Sequence, residues 1–528
     1  MTFSKWQIAL TAGLVLAAGT TAAVAQTPKK GGILTFAVVA EPPNYDCHAN
    51  SSFALTHPVA PHYSTLLKLD GDWKNFKYGG DLAKSWEASA DGLTYTFKLH
   101  DGVKFHDGTP LTSADVKASY ERIIKPPAGV VSIRQQLHEP IKSIETPDAT
   151  TVVFKLSQPD AAMLSNFASP FNCIYSAKKL AENPLYPQTE IMGSGAFTFV
   201  KHEKGASWEG KRFDGYFRKD RPYLDGYKAL FVKSNAVVPG LIGGQFDAEF
   251  RGRSPKERDQ VVQAMGAKAT VEEAPWVNSI IITFNAAKKP FDDVRVRQAL
   301  NMAIDRWSAS TALSKISILK EVGGVIRAGT EFALTTAELE KLPGYQRNMD
   351  EARAKAKDLL KEAGVADLKL KLVNRNLAEP YTPVGIYLID QWKRIGVTVE
   401  HVQLETKLWQ QSQASGEFEV IIDFIGDIVD EPSSQFVKFL TKKGSANAFS
   451  GHTDTKVDEM YLAQARIVDP VKRKAAVNEL EKYVLTQSYV GQFLWWQRII
   501  TNNVAVKGWK LLPNHYGGQD LVDVWLDR

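Results

Sequence analysis

Residues 348–373 read NMDEARAKAKDLLKEAGVADLKLKLV, and the fold of the C-terminal half follows from them. Asn348, with Glu351 three residues on, opens a helix; Ala352, Ala356, Leu359 and Ala363 share one face, and Gly364 stops it. A strand follows at 368–373. Further along, Val384, Leu388, Trp392 and Ile395 form the stripe of a second helix ended by Gly396. A strand near 397–404, a helix near 406–415 ended by Gly416, and an apolar strand from Phe418 to Phe424 complete the series. Such alternation implies right-handed crossovers and a parallel sheet. Ligands of open sheets sit beyond the carboxyl ends of the strands. Two loops are therefore candidates, 374–380 with Arg375 and 425–434 with Asp427.

Towards the N-terminus the elements are short and mixed. Leu93, Tyr95, Phe97 and Leu99 alternate after the Asp91-Gly92 turn, as Val152, Phe154 and Leu156 do after Pro147-Asp148. Thr112 with Asp115 resembles a capping box, and Val116, Tyr120 and Ile123 follow at helical spacing. No parallel repeat is visible in this half.

The first 25 residues set the compartment. Lys5, an apolar stretch through Leu16, and Ala23-Val24-Ala25 before Gln26 form a secretory signal, residues 1–25. No later segment approaches the roughly 20 apolar residues of a membrane span. The expectation is a protein of the periplasm. A chain of 528 residues exceeds what one core supports, so at least two domains are expected. Its 64 basic and 59 acidic residues are interspersed, which does not make a nucleic-acid footprint. An exported chain whose two cysteines are Cys47 and Cys173 is expected to bridge them; the alternative is two buried free thiols.

Several stretches resemble the peptide- and nickel-binding family of extracytoplasmic solute-binding proteins. They are Gly80-Asp81-Leu82-Ala83-Lys84-Ser85-Trp86-Glu87 continuing to Phe105-His106-Asp107-Gly108-Thr109-Pro110, then Gly193-Ser194-Gly195-Ala196-Phe197, Pro222-Tyr223-Leu224-Asp225-Gly226, and Pro290-Phe291-Asp292-Asp293 through Ala303-Ile304-Asp305-Arg306. The resemblance implies an α/β, two-lobed periplasmic-binding-protein-like fold with discontinuous lobes. Lobe 1 would comprise residues 26–285 plus 495–528 and carry an extra subdomain; lobe 2 would comprise 286–494. It further implies a monomer that takes a di- or short oligopeptide between its lobes, without a cofactor, and delivers it to a membrane-embedded ABC permease. An opine-like conjugate, an oligosaccharide or a nickel or other metal chelate are alternative ligands, since fold does not fix ligand. An envelope hydrolase is disfavoured because no nucleophile has a nominated base.

Within the resemblance, Phe424-Ile425-Gly426-Asp427 and Glu431-Pro432 match the loop whose Asp holds a peptide's ammonium. Asp427 is the first choice for that role and Asp430 its competitor, while Asp423 stands where relatives carry Gly. Arg375 matches the carboxylate-binding Arg, whose planar guanidinium takes both carboxylate oxygens. Tyr45, in Pro42-Pro43-Asn44-Tyr45-Asp46, is expected in the cleft wall, with Trp409, Trp495 and Trp496 as further apolar lining. His48, His57 and His62 lack the spacing of a helical metal site, and no metal is assigned to them.

Overall fold

The structure is a computed structural model that describes residues 27–74, 77–426 and 431–528. The expected signal, residues 1–25, lies outside the described residues, and so do Asp427 and Asp430.

One lobe is built on a six-stranded sheet in the order Leu319–Glu321, Val490–Asn503, Ala269–Phe284, Val420–Gly426, Lys369–Arg375, Thr398–Leu404. The last three strands are parallel, with Leu372 beside Val420 and Leu370 beside Val399. Helices Met349–Glu362, Tyr381–Lys393 and Thr406–Ser415 alternate with them, as the apolar periods predict. Asn348 caps the first of these helices by accepting from the Glu351 N–H at 3.3 Å. Gly416 ends the third at φ +73°, a left-handed conformation that glycine adopts without Cβ strain.

The other lobe holds a five-stranded sheet in the order Ala248–Glu249, Ile33–Val38, Gly226–Phe231, Ser207–Arg212, Phe197–Glu203. Ile33–Val38 runs parallel to both of its neighbours. This pairing is invisible in the sequence because most of the lobe's chain lies between the partners. That intervening chain includes an antiparallel sheet, Ala83–Ala88, Thr94–Leu99, Thr151–Leu156 and Ile141–Asp148, against which helix Ser113–Ile124 buries Val116, Tyr120 and Ile123. Thr112 opens the helix, its N–H donating to Asp115 Oδ2 at 2.8 Å. Cys47 and Cys173 are disulfide-bonded, with their Cα atoms 6.1 Å apart.

The long strands Ala269–Phe284 and Val490–Asn503 pair antiparallel and run from one lobe into the other. At one end Asn503 and Arg253 tie them to the first lobe, through N–H bonds to Asp247 O and Ile499 O of 2.8 Å each. At the other end Asn278–Phe284 pair with Val420–Gly426. One apolar cluster draws on Leu34 through Phe250 and resumes at Val506 through Leu526. Two more take residues between Trp276 and Trp496. Away from the long strands the lobes also touch: Ala161 N–H donates to Ala465 O at 2.9 Å. No helix among the described residues is long and apolar enough to cross a membrane.

Candidate functional site

The three parallel strands end at Leu404, Arg375 and Gly426, with the Arg375 strand in the middle, Arg375 paired with Leu404 and the Val420–Gly426 strand running on past it. Position decides the surroundings of Arg375. Its guanidinium stands 5.5 Å from the ring centroids of both Tyr381 and Trp409. These come from the helices after its own strand and after the next one. Nε donates to Thr406 Oγ1 at 3.0 Å, and no carboxylate among the described residues lies within 4 Å. A half-buried guanidinium set on aromatic faces, with one edge fixed and no counter-ion among the described residues, can take an anion.

Asp423, on the neighbouring strand, does not supply that anion. It is fully buried and pairs with Lys438 Nζ at 2.6 Å, while its Oδ1 accepts from the Phe424 N–H at 2.7 Å. The pair is neutral as a unit, and Lys438 covers the Phe424 ring at 5.0 Å. Burial, with Asp423 adding, pushes the Tyr381 hydroxyl well above the usual tyrosine range. It stays protonated and able to donate.

From Trp409 the aromatic surface continues. Phe424 stacks at 6.5 Å from Trp409 and 6.2 Å from Trp496; Trp496 meets Trp276 edge-on at 5.6 Å, and Trp276 meets His515 at 5.3 Å. Trp276 and Trp496 lie on the two strands that connect the lobes, and His515 lies in the C-terminal segment. The rings thus pass from the strand ends of one lobe to the other.

The sequence model for the middle region of the bacterial extracellular solute-binding proteins, family 5, matches residues 77–447. The chain belongs to this family. Among curated relatives, glutathione-binding protein GsiB of Pectobacterium atrosepticum is 30% identical over 357 residues, 66% of this chain and 65% of that protein. Di/tripeptide-binding protein 1 of Pseudomonas aeruginosa is 27% identical over 428 residues, 74% and 76% of the two chains. Among solved structures, the substrate-binding protein CtaP of Listeria monocytogenes superposes with TM-score 0.81 at 21% identity, covering 95% of this chain and 100% of that one. DppA of Helicobacter pylori, in complex with the peptide STSA, gives TM-score 0.76 at 20% identity, covering 95% and 99%. These likenesses establish the two-lobed α/β fold.

The stretches that carry the family resemblance are scaffold in this family 5 protein. His106 N–H donates to Gly193 O at 2.9 Å and its Nε2 bonds Gly195 O at 3.0 Å, joining two of the motifs. A Cβ on Gly195 would lie 2.5 Å from the His62 and Tyr63 backbone, so only glycine fits. Arg297 and Arg306, both buried, donate to backbone carbonyls, including Phe291 O at 2.8 Å and Gln492 O at 2.7 Å.

Of the candidate residues, the structure brings together Arg375, Trp409 and Trp496. Trp409 is buried, with Nε1 on Ile422 O at 3.1 Å, and serves as floor beneath the guanidinium. Trp495 does not join them: it is fully buried and its Nε1 donates to Gly324 O at 3.0 Å. Neighbouring strand residues point to opposite faces, so Trp495 and Trp496 cannot both line one surface. Tyr45 belongs to another cluster, with its hydroxyl 2.9 Å from His202 Nδ1 and its ring edge-on to Trp208 at 4.9 Å. His48, His57 and His62 are buried against the carbonyls of Cys173, His515 and Phe197. Trp276, Phe424 as a ring contact, Lys438 and His515 were not nominated from sequence. They come from three distant segments, and only the match around Phe424 offered any local signal.

Proposed function

We propose that this protein is the solute-capturing subunit of an ABC importer in the periplasm, a non-catalytic receptor that closes on a peptide-like ligand. Arg375 carries the reading: it is a cation at a strand end without a counter-ion among the described residues, on an aromatic floor, in a family 5 chain. A ligand carboxylate completes it by two parallel hydrogen bonds. Asp427 takes the ligand ammonium, with Asp430 as its competitor. The names of GsiB and di/tripeptide-binding protein 1 support a ligand of peptide type. Lobe 1 is assigned residues 26–285 plus 495–528 and lobe 2 residues 286–494. The separate apolar clusters support a division of this kind, and the packing of Val277, Ile280 and Ile282 with the second cluster draws the changeover towards Pro275.

Calorimetry with dipeptides, their N-acetyl forms and their amides tests the clamp. Arg375→Ala and Asp427→Ala are each expected to weaken binding by roughly 2–5 kcal/mol, because the surviving ligand charge is left unpaired in a closed site. An amidated ligand should be insensitive to Arg375→Ala and an N-acetylated one to Asp427→Ala. Affinities within a factor of two for every peptide in both variants would overturn the clamp.

A further inference from the structure

The aromatic surface does not stop at His515. Phe53, opening helix Phe53–Val59 of the first lobe, lies 5.8 Å from the His515 ring and 5.6 Å from His57. Over its face, at 4.8 Å, stands the guanidinium of Arg251. Arg251 is exposed, two residues past the short strand Ala248–Glu249, and has no carboxylate within 4 Å among the described residues. The nearest acid in sequence, Glu249, is occupied by the N–H groups of Arg251 and Gly252, at 2.7 and 3.2 Å. Arg498 sits behind, fully buried, and donates only to carbonyls, among them Arg251 O at 3.0 Å. The surface therefore starts on an unpaired guanidinium in one lobe and ends on another in the other lobe. Lys438, the further cation beside it, already has Asp423.

Between the two arginines, buried polar atoms lack partners. Trp276 Nε1 and Trp496 Nε1 can only donate, and neither has an acceptor. His57 Nε2 lies 2.7 Å from His515 O and must donate to it. Burial holds the ring neutral, its pKa down at about 3, so Nδ1 carries a lone pair with nothing to accept. A buried polar atom without a partner is costly, so a ligand that supplies the partner gains by it. Two indole donors, the His57 acceptor and the equally unpartnered His515 Nδ1, left open along these rings, match an amide backbone, which both donates and accepts.

We propose that the ligand carries two separated anionic groups, one for Arg375 and one for Arg251, joined by amide-type hydrogen-bonding groups. An acidic peptide or a peptide-like conjugate with a second carboxylate is of that class. A ligand with a single carboxylate leaves one guanidinium without its counter-charge. This inference rests on the peptide-like reading above and adds the second charge.

Calorimetric titration of the full mature protein with Ala-Glu and Glu-Ala, each beside its isostere with a neutral side chain, Ala-Gln or Gln-Ala, tests it. At least one acidic peptide is expected to bind ten-fold or more tightly than its isostere. Arg251→Gln should erase that ratio and Arg251→Lys should keep part of it. Equal affinities of acid and amide in the parent protein, or a ratio that survives Arg251→Gln, would overturn the second anionic site alone. If none of the four peptides binds at millimolar concentration, the peptide-like reading fails and this inference falls with it.

Discussion

Glu481 is a carboxyl without a cation. It is fully buried in helix Pro470–Gln487 and its Oε1 accepts from the Ile326 N–H at 3.0 Å, while Oε2 has no partner. Burial pushes its pKa up to about 8 against the opposing pull of backbone N–H groups at Ile326, Val325 and Leu334. A pKa raised above its unfolded value of 4.5 gives stability that is complete below about 4.5 and lost as pH rises through about 8. The loss is at most about 1.4 kcal/mol per pH unit. Glu481→Gln should flatten the dependence between pH 5 and 8; denaturant titrations of both proteins at several pH values check it. An equal slope in the variant would assign the dependence to another group. Residues of this kind are not legible in sequence. The place of Arg375 at a strand end was, because the strand-helix alternation has meaning without coordinates. Asp423 was not: only the structure shows that Lys438 neutralises it. Trp495 was misread because the alternation that turns it inward needs the register of Val490–Asn503.

At the scale of elements, the contact between the antiparallel sheet region of lobe 1 and the helices of lobe 2 is where closure meets acid–base chemistry. Ala161 N–H donates to Ala465 O, and Arg473, ion-paired with Glu431, reaches Ala161 O at 3.5 Å. Asp160 is half-buried at this contact, and the desolvation pushes its carboxyl up to about 6; Glu431 adds to the rise, while Arg473 and the Ala162 N–H oppose it. If separation of the lobes returns Asp160 to its ordinary 3.8, the contact is fully favourable below that value and weakens as pH rises through about 6. Ligand affinity should therefore tighten from pH 7 to pH 5, and Asp160→Asn should bind with little change over that range. A pH dependence unchanged in the variant would contradict this. The parallel strands were legible here because each is followed by its own helix. The parallel pair Ile33–Val38 and Gly226–Phe231 was not, since an inserted subdomain separates the partners and hides the crossover.

For the whole molecule, two lobes with separate cores are joined by a long strand pair, and the proposed capture requires rotation about that pair. A ligand closes such a body only by interacting more favourably with the closed state. In the proposed account, Arg375 on one side and Arg251 on the other, with rings from both lobes between them, supply contacts of that kind. Small-angle X-ray scattering of the mature protein, with and without a saturating peptide whose binding calorimetry has established, measures closure directly. The account predicts a smaller radius of gyration and maximum dimension in the bound protein, with the scattering of each lobe's interior unchanged. Superimposable curves from the free and saturated protein would contradict capture by closure between the lobes.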